Sequence, residues 1–242
     1  MDDSRYTKRT IVREEIASNV LGETRSVRIF LPPGYNELLS YPVLYCQDGE
    51  DFFNFGRVAT QMTKLILDEG LEPVIIVGVD VDKKVRSDEY APSGSRFADY
   101  CRFFAEELVP YIEARYPARR ERSARVIAGD SLGGTVSLHI ALDYPELFNR
   151  VLALSGAFFA DTRDRIAVES DLSWLQLYML VGLQETAVDT SRGIFDFIEE
   201  NRRTLELLEA RDTDLHYEEK DGKHIWGFWQ KELPTSLRLF FG

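Results

Sequence analysis

Histidine and cysteine are scarce in this 242-residue sequence, and no apolar run is long enough to cross a bilayer. Three histidines leave a short roster for any general base. The two cysteines, Cys46 in an apolar strand-like run and Cys101 in a helical pattern, have no metal-ligand spacing and are expected to be reduced core thiols. Positive charge is also short: 29 Lys and Arg stand against 41 Asp and Glu, a net charge of -12. That balance argues against a nucleic-acid partner, which would need a basic stripe to replace counterions. Met1 to Thr10 is polar and lacks the apolar centre of a signal peptide, so the expectation is a cytoplasmic protein with no membrane partner.

What is present suits a globular chain, with 44% hydrophobic and 12% aromatic residues. There is no repeat, low-complexity stretch or linker, so residues 1–242 are read as one domain. Thr10 to Ile16 and Arg25 to Leu31 are rich in β-branched and apolar residues, and Asn19 to Glu23 between them suits a hairpin loop. Continuous apolar runs follow at Tyr41 to Cys46, Pro73 to Val79, Arg125 to Ala128, Val151 to Ser155 and Gln176 to Val181, each of the kind buried on both faces of a sheet. Between them lie helical patterns at Gly56 to Glu69, Phe97 to Tyr116, Leu132 to Asp143 and Ser191 to Arg211; Asp214 to Glu218 reads as the last strand, before a closing helix. The alternation predicts an α/β fold: a mostly parallel, doubly wound sheet with an antiparallel N-terminal hairpin and helices on both faces. Lys83 to Ser95 reads as a long loop near the active site, and Gly156 to Leu175 has no regular pattern.

The chain is organised around Val126 to Gly134, where an apolar run stops at glycine and a helical pattern begins. Gly129-Asp130-Ser131-Leu132-Gly133 is a GxSxG turn. With a strand before it and a helix after it, such a turn is a nucleophile elbow, its small residues letting the backbone hold the serine hydroxyl clear. The N–H of Leu132, at the helix start, is free to meet a developing oxyanion.

An activated serine needs a base. His139 lies two turns along the same helix, at about 12 Å, too far for a hydrogen bond. His216 lies within the last strand. His224 follows that strand in a loop with Gly222 and is the base by position and by elimination. The base needs an acid between serine and histidine in chain order; Glu185 and Asp189 both follow the strand ending at Gly182, and Glu185, nearer the better-fixed strand end, is favoured over Asp189. Asp130 is expected to brace the elbow. A second oxyanion donor should come from the loop after Cys46, with the amide of Glu50 as the candidate. No metal or cofactor is needed. Arg86 with Glu89 and Tyr90 are candidate pocket residues, read equally well as a solvated loop held by an ion pair, and Trp226, Phe228 and Trp229 fit the core better than an acyl pocket.

These residues resemble the putative-esterase family of α/β-hydrolases, which includes enterochelin esterases, feruloyl esterases, S-formylglutathione hydrolases and mycolyltransferases. The resemblance rests on Leu31-Pro32-Pro33-Gly34-Tyr35, Tyr45-Cys46-Gln47-Asp48-Gly49, the Gly129 to Gly134 elbow, Val181-Gly182 with Glu185, and Gly222-Lys223-His224. It implies an α/β-hydrolase fold, an acid three residues past the glycine ending the seventh strand (Glu185), and an oxyanion amide after the Asp-Gly pair (Glu50). Many relatives read Gly-Gly-His-Asp where this chain has Gly222-Lys223-His224-Ile225, and no extra N-terminal domain of the enterochelin-esterase kind is seen. The expected activity is hydrolysis of a small or medium ester through a Ser-His-acid triad. Alternatives are a siderophore trilactone esterase, an acyltransferase on the same residues, and a non-catalytic binding module that a serine-directed phosphonate would not label. The oligomeric state, a homo-oligomer included, stays open.

Overall fold

The structure, a computed structural model, describes residues 10–242; the polar opening stretch, 1–9, lies outside the described residues. An antiparallel hairpin, β1 (Thr10–Ser18) and β2 (Glu23–Leu31), opens the chain, with Ile16, Val27 and Ile29 turned into the core. Then come β3 (Val43–Cys46), α1 (Gly49–Asn54), α2 (Val58–Glu69), β4 (Ile75–Val79) and the short α3 (Arg86–Tyr90). Helix α4 (Phe97–Arg102) runs through a π-type segment, Phe103–Leu108, into α5 (Val109–Arg115). Strand β5 (Arg125–Asp130) leads to α6 (Leu132–Asp143), β6 (Arg150–Leu154) to α7 (Ala160–Ala167), and β7 (Gln176–Gly182) to a small hairpin, β8 (Val188–Thr190) with β9 (Gly193–Phe195). Helix α8 (Phe197–Glu209), β10 (Asp214–Lys220) and α9 (Trp226–Phe241) complete the described chain.

Among the described residues, eight strands form one sheet in the order β1-β2-β4-β3-β5-β6-β7-β10. The pairs β1/β2 and β2/β4 are antiparallel and the rest parallel. The apolar runs are explained by that placement: every residue of β3, β4 and β5 is buried, because helices cover both faces. Successive side chains go to opposite layers. Tyr45 joins Val77, Phe104 and Val136 under α4–α6, whereas its neighbours Leu44 and Cys46 join Met62, Leu65, Leu233 and Leu237 under α2 and α9.

Four stretches differ from the sequence reading. Helix α1 begins at Gly49, within the stretch read as loop, and Phe52 on it is fully buried. Lys83 to Ser95 contains α3, and α7 gives regular structure to part of Gly156 to Leu175, with Thr162 and Ile166 as its inward face. The pattern at Ser191 to Arg211 merges two elements: Ile194, placed on a helix by its spacing, is an exposed residue of β9, and α8 starts only at Phe197. Asp196 stops the merger by capping α8, its side chain accepting from the Glu199 N–H at 3.0 Å.

Candidate active site

Ser131 stands between the end of β5 and the start of α6 with φ 54° and ψ -123°, a left-handed backbone that few non-glycine residues adopt. The surrounding contacts hold it there. Its N–H donates to the Leu154 carbonyl at 2.9 Å, and its own carbonyl accepts from Gly134 and Ala157 at 3.1 and 3.0 Å. The turn is tight enough that a Cβ on Gly129 would stand 2.1 Å from the Gly133 carbonyl carbon, so only glycine fits there. The Leu132 N–H opens α6 and has no acceptor within the helix.

The other functional groups sit at the carboxyl ends of neighbouring strands. Past β7 the backbone turns sharply, the Glu185 N–H donating to the Gly182 carbonyl at 3.0 Å. The carboxylate of Glu185 is fully buried. Its Oε1 accepts from the Gly182 N–H at 2.9 Å and from Ser155 Oγ at 2.7 Å, and its Oε2 accepts from His224 Nδ1 at 2.7 Å. Because a carboxylate only accepts, Nδ1 of His224 is the donor in this contact, and Nε2 is the ring nitrogen left over. The loop after β10 brings the histidine there: a Cβ on Gly182 would meet the Gly222 carbonyl oxygen at 2.4 Å, so β7 and the His224 loop touch backbone to backbone. The imidazole lies between the rings of Phe197, 4.3 Å away, and Trp229, 4.9 Å away.

Ser131, Leu132 and His224 face one cavity of about 230 Å³. Arg86, Ser87, Ala157, Phe159 and Phe197 line it further, and residues 189–192 of the β8–β9 hairpin close one side. Arg86 is the cation next to the serine. Its Nε and Nη2 donate to the two oxygens of Asp48 at 2.7 and 2.8 Å, Nη2 reaches the Asp130 carbonyl at 3.3 Å, and the ring of Tyr90 lies 5.1 Å beneath. Burial works against both partners' charges, yet Asp48 raises the Arg86 pKa, and Arg86 with Lys83 holds Asp48 below the usual carboxylate range. Asp130 is different. Burial first, then the charge of Asp48, pushes its pKa up to about 7, and its Oδ1 has no hydrogen-bond partner among the described residues.

Several sequence candidates therefore meet and others do not. Ser131, Leu132, Arg86, Asp189 and His224 reach the cavity, and Glu185 reaches His224 from behind it, whereas Asp189 lies on β8. Glu50 is outside the cavity lining: it sits in the first turn of α1 with its side chain 3.3 Å from Arg28. Tyr90 is a core residue, fully buried against Tyr100, with its oxygen accepting from the Asp48 N–H at 3.2 Å. Glu89 is buried in an ion pair with Arg25. Trp226 packs edge-on against Phe52 and Trp229, away from the cavity. His139 is buried with Nε2 3.1 Å from Thr162 Oγ1, and His216 stacks on Tyr178. Sequence reasoning missed Ser155, Phe159, Phe197 and Arg192. Ser155 alone had a readable signal, since it follows a buried strand at the sheet edge where ligands of α/β folds bind.

Comparison with known proteins adds a lineage to this geometry. The model of the family described as Putative esterase matches residues 18–240. The Bacillus subtilis protein YjcH, described as uncharacterized, is 37% identical over 95% of this chain and 96% of its own length. An iron(III) salmochelin esterase of Escherichia coli is 30% identical over 92% of this chain, which spans 56% of that relative. Among solved structures, a ferulic acid esterase superposes with a TM-score of 0.83 at 20% identity, over 97% of this chain and 98% of its own. An enterobactin esterase from Shigella flexneri gives 0.81 at 23% identity, over 96% of this chain and 59% of its own. The structural likenesses carry the fold.

Proposed function

This chain belongs to the Putative esterase family and is a carboxylic ester hydrolase of the α/β-hydrolase fold, and from that premise we propose that it works through an acyl-enzyme formed on Ser131. His224 Nε2 takes the hydroxyl proton as Ser131 attacks the ester carbonyl, then returns it to the leaving alcohol; water repeats the cycle in reverse. Glu185 fixes the tautomer and stabilises the imidazolium. Leu132 supplies one oxyanion donor. The second donor is the Glu50 amide in the first turn of α1, with Arg86, which borders the cavity and whose Nη1 makes no hydrogen bond among the described residues, as the alternative.

The observation that supports this reading is the 2.7 Å contact from His224 Nδ1 to Glu185, with the same histidine and Ser131 on one cavity. The cavity volume favours a small acyl or alcohol group, being below the roughly 300–1,000 Å³ of sites for drug-sized ligands. A siderophore trilactone is the second substrate reading, favoured by the salmochelin esterase relative. Hydrolysis of p-nitrophenyl esters from acetate to long chains, beside a ferric trilactone, tests both. Short-chain turnover falling by about 10³-fold or more in Ser131→Ala is the expected result. Trilactone cleavage without p-nitrophenyl turnover selects the second reading, and activity retained in Ser131→Ala rejects the mechanism.

A further inference from the structure

A buried chain of hydrogen bonds runs behind His224 and ends in Trp229, which does not line the cavity. Trp229 Nε1–H, on the first turns of α9, donates to Ser155 Oγ at 2.8 Å, and Ser155 Oγ–H donates to Glu185 Oε1 at 2.7 Å. Both Ser155 and Glu185 are completely buried, and Trp229 is 3% exposed. Ser155 lies directly past β6, between the strands that carry Ser131 and Glu185, and holds a left-handed φ of 46°. Such a backbone is strained for a non-glycine residue, so something at that position must offset it. Its N–H donates to the Leu180 carbonyl of β7, which pins the residue to the strand that delivers the acid.

We propose that Ser155 and Trp229 are positioning residues for the acid of the active site. Together they occupy one carboxylate oxygen of Glu185 so that only the other can turn towards His224. This rests on the assignment of Ser131, His224 and Glu185 above. A glutamate has three rotatable torsions, and one oxygen held only by the Gly182 N–H would leave the carboxylate free to swing about that single bond. The hydroxyl supplies a second donor from another strand, and the indole orients the hydroxyl by occupying its lone pair. Trp229 also packs edge-on against the His224 ring, so one side chain fixes the imidazole from its face and its carboxylate partner through the serine. The two ends of the hydrogen-bonded pair are thereby indexed to each other.

The test uses the whole chain and four variants. Ser155→Gly keeps a backbone that tolerates positive φ and removes the hydroxymethyl side chain. Trp229→Phe keeps a ring and removes the N–H. Ser137→Ala, another fully buried serine whose Oγ has no partner among the described residues, controls for loss of a core hydroxyl. Glu185→Gln tests the underlying assignment. Ser155→Gly is expected to lower kcat roughly 10- to 100-fold at unchanged KM, the size of effect that misplacing a catalytic group produces, with Trp229→Phe changing it in the same direction and less. In both variants the downfield proton resonance of His224 Nδ1 should shift or broaden, while Ser137→Ala matches the wild type in rate and spectrum. If Glu185→Gln abolishes turnover but Ser155→Gly keeps the wild-type kcat and resonance, or does no more than Ser137→Ala, the positioning role is wrong and the assignment stands. If Glu185→Gln is fully active, the assignment itself is wrong and the role falls with it.

Discussion

Asp130 shows how one residue beside a nucleophile can carry a cost that its neighbour needs. Its burial and the charge of Asp48 raise its pKa to about 7, well above the 3.8 of a free aspartate. Between those values the folded chain keeps a proton that the unfolded chain has lost, so the contribution of this group to stability declines as pH rises through that window and is lowest above pH 7. Asp130→Asn, which never ionises, is expected to match the wild-type melting temperature near pH 4 and to exceed it progressively up to pH 8. Equal melting temperatures at pH 8 would show that Asp130 is ionised at no cost. His139 slopes the other way: burial and then Arg165 lower its pKa to about 4, so its contribution falls as pH drops from 6.5 towards 4. At this scale the sequence was legible where geometry is local. The elbow needs Gly129 and Ser131 at fixed spacing, and the exclusion of His139 follows from helical rise alone. The surroundings of Glu50 and Tyr90 were not legible, because their positions depend on α1 and α3, short helices whose packing partners are far away in the chain.

The β8–β9 hairpin is the element that shapes the cavity, although it lies outside the main sheet. Residues 189–192 form one wall, and Phe195 fastens the hairpin by stacking on Phe159 at 4.2 Å. Ser87 and Ser191 approach to 3.4 Å, and Arg192 donates to Ser93 at 3.2 Å, so the tip also rests against the α3 region. An aromatic pair of this kind contributes about 0.5–1.5 kcal/mol beyond its buried area, and Phe195→Ala is expected to raise KM about two- to tenfold while leaving the melting temperature nearly unchanged. Steady-state kinetics beside a thermal melt checks this; a KM identical to wild type would mean that the wall does not touch substrate. The hairpin was hidden in the sequence because Ile194, Phe197 and Ile198 happen to keep helical spacing across its boundary. The parallel strands were not hidden, since β3, β4 and β5 are buried on both faces and their apolar runs have no alternative use.

Across the whole molecule, the groups assigned to the site and its support hang from four adjacent parallel strands, with Ser131 after β5, Ser155 after β6, Glu185 after β7 and His224 after β10. Doubly wound topology was legible from the alternation of runs, but this adjacency was not, because the order of strands in a sheet is fixed by crossovers and not by the pattern within each strand. The serine is set near the middle of the sheet and the histidine at its margin, where β10 pairs with β7 alone and its residues are mostly half-exposed. Marginal strands open at lower free energy than central ones. Warming should therefore silence ester turnover several degrees below the loss of far-ultraviolet ellipticity, with labelling of Ser131 by a phosphonate failing alongside turnover; coincident transitions would mean that edge and centre melt as one. The shelf life of such a catalyst is set at its hem, and a longer-lived variant is to be sought by stitching β10 to β7 rather than by enlarging the core.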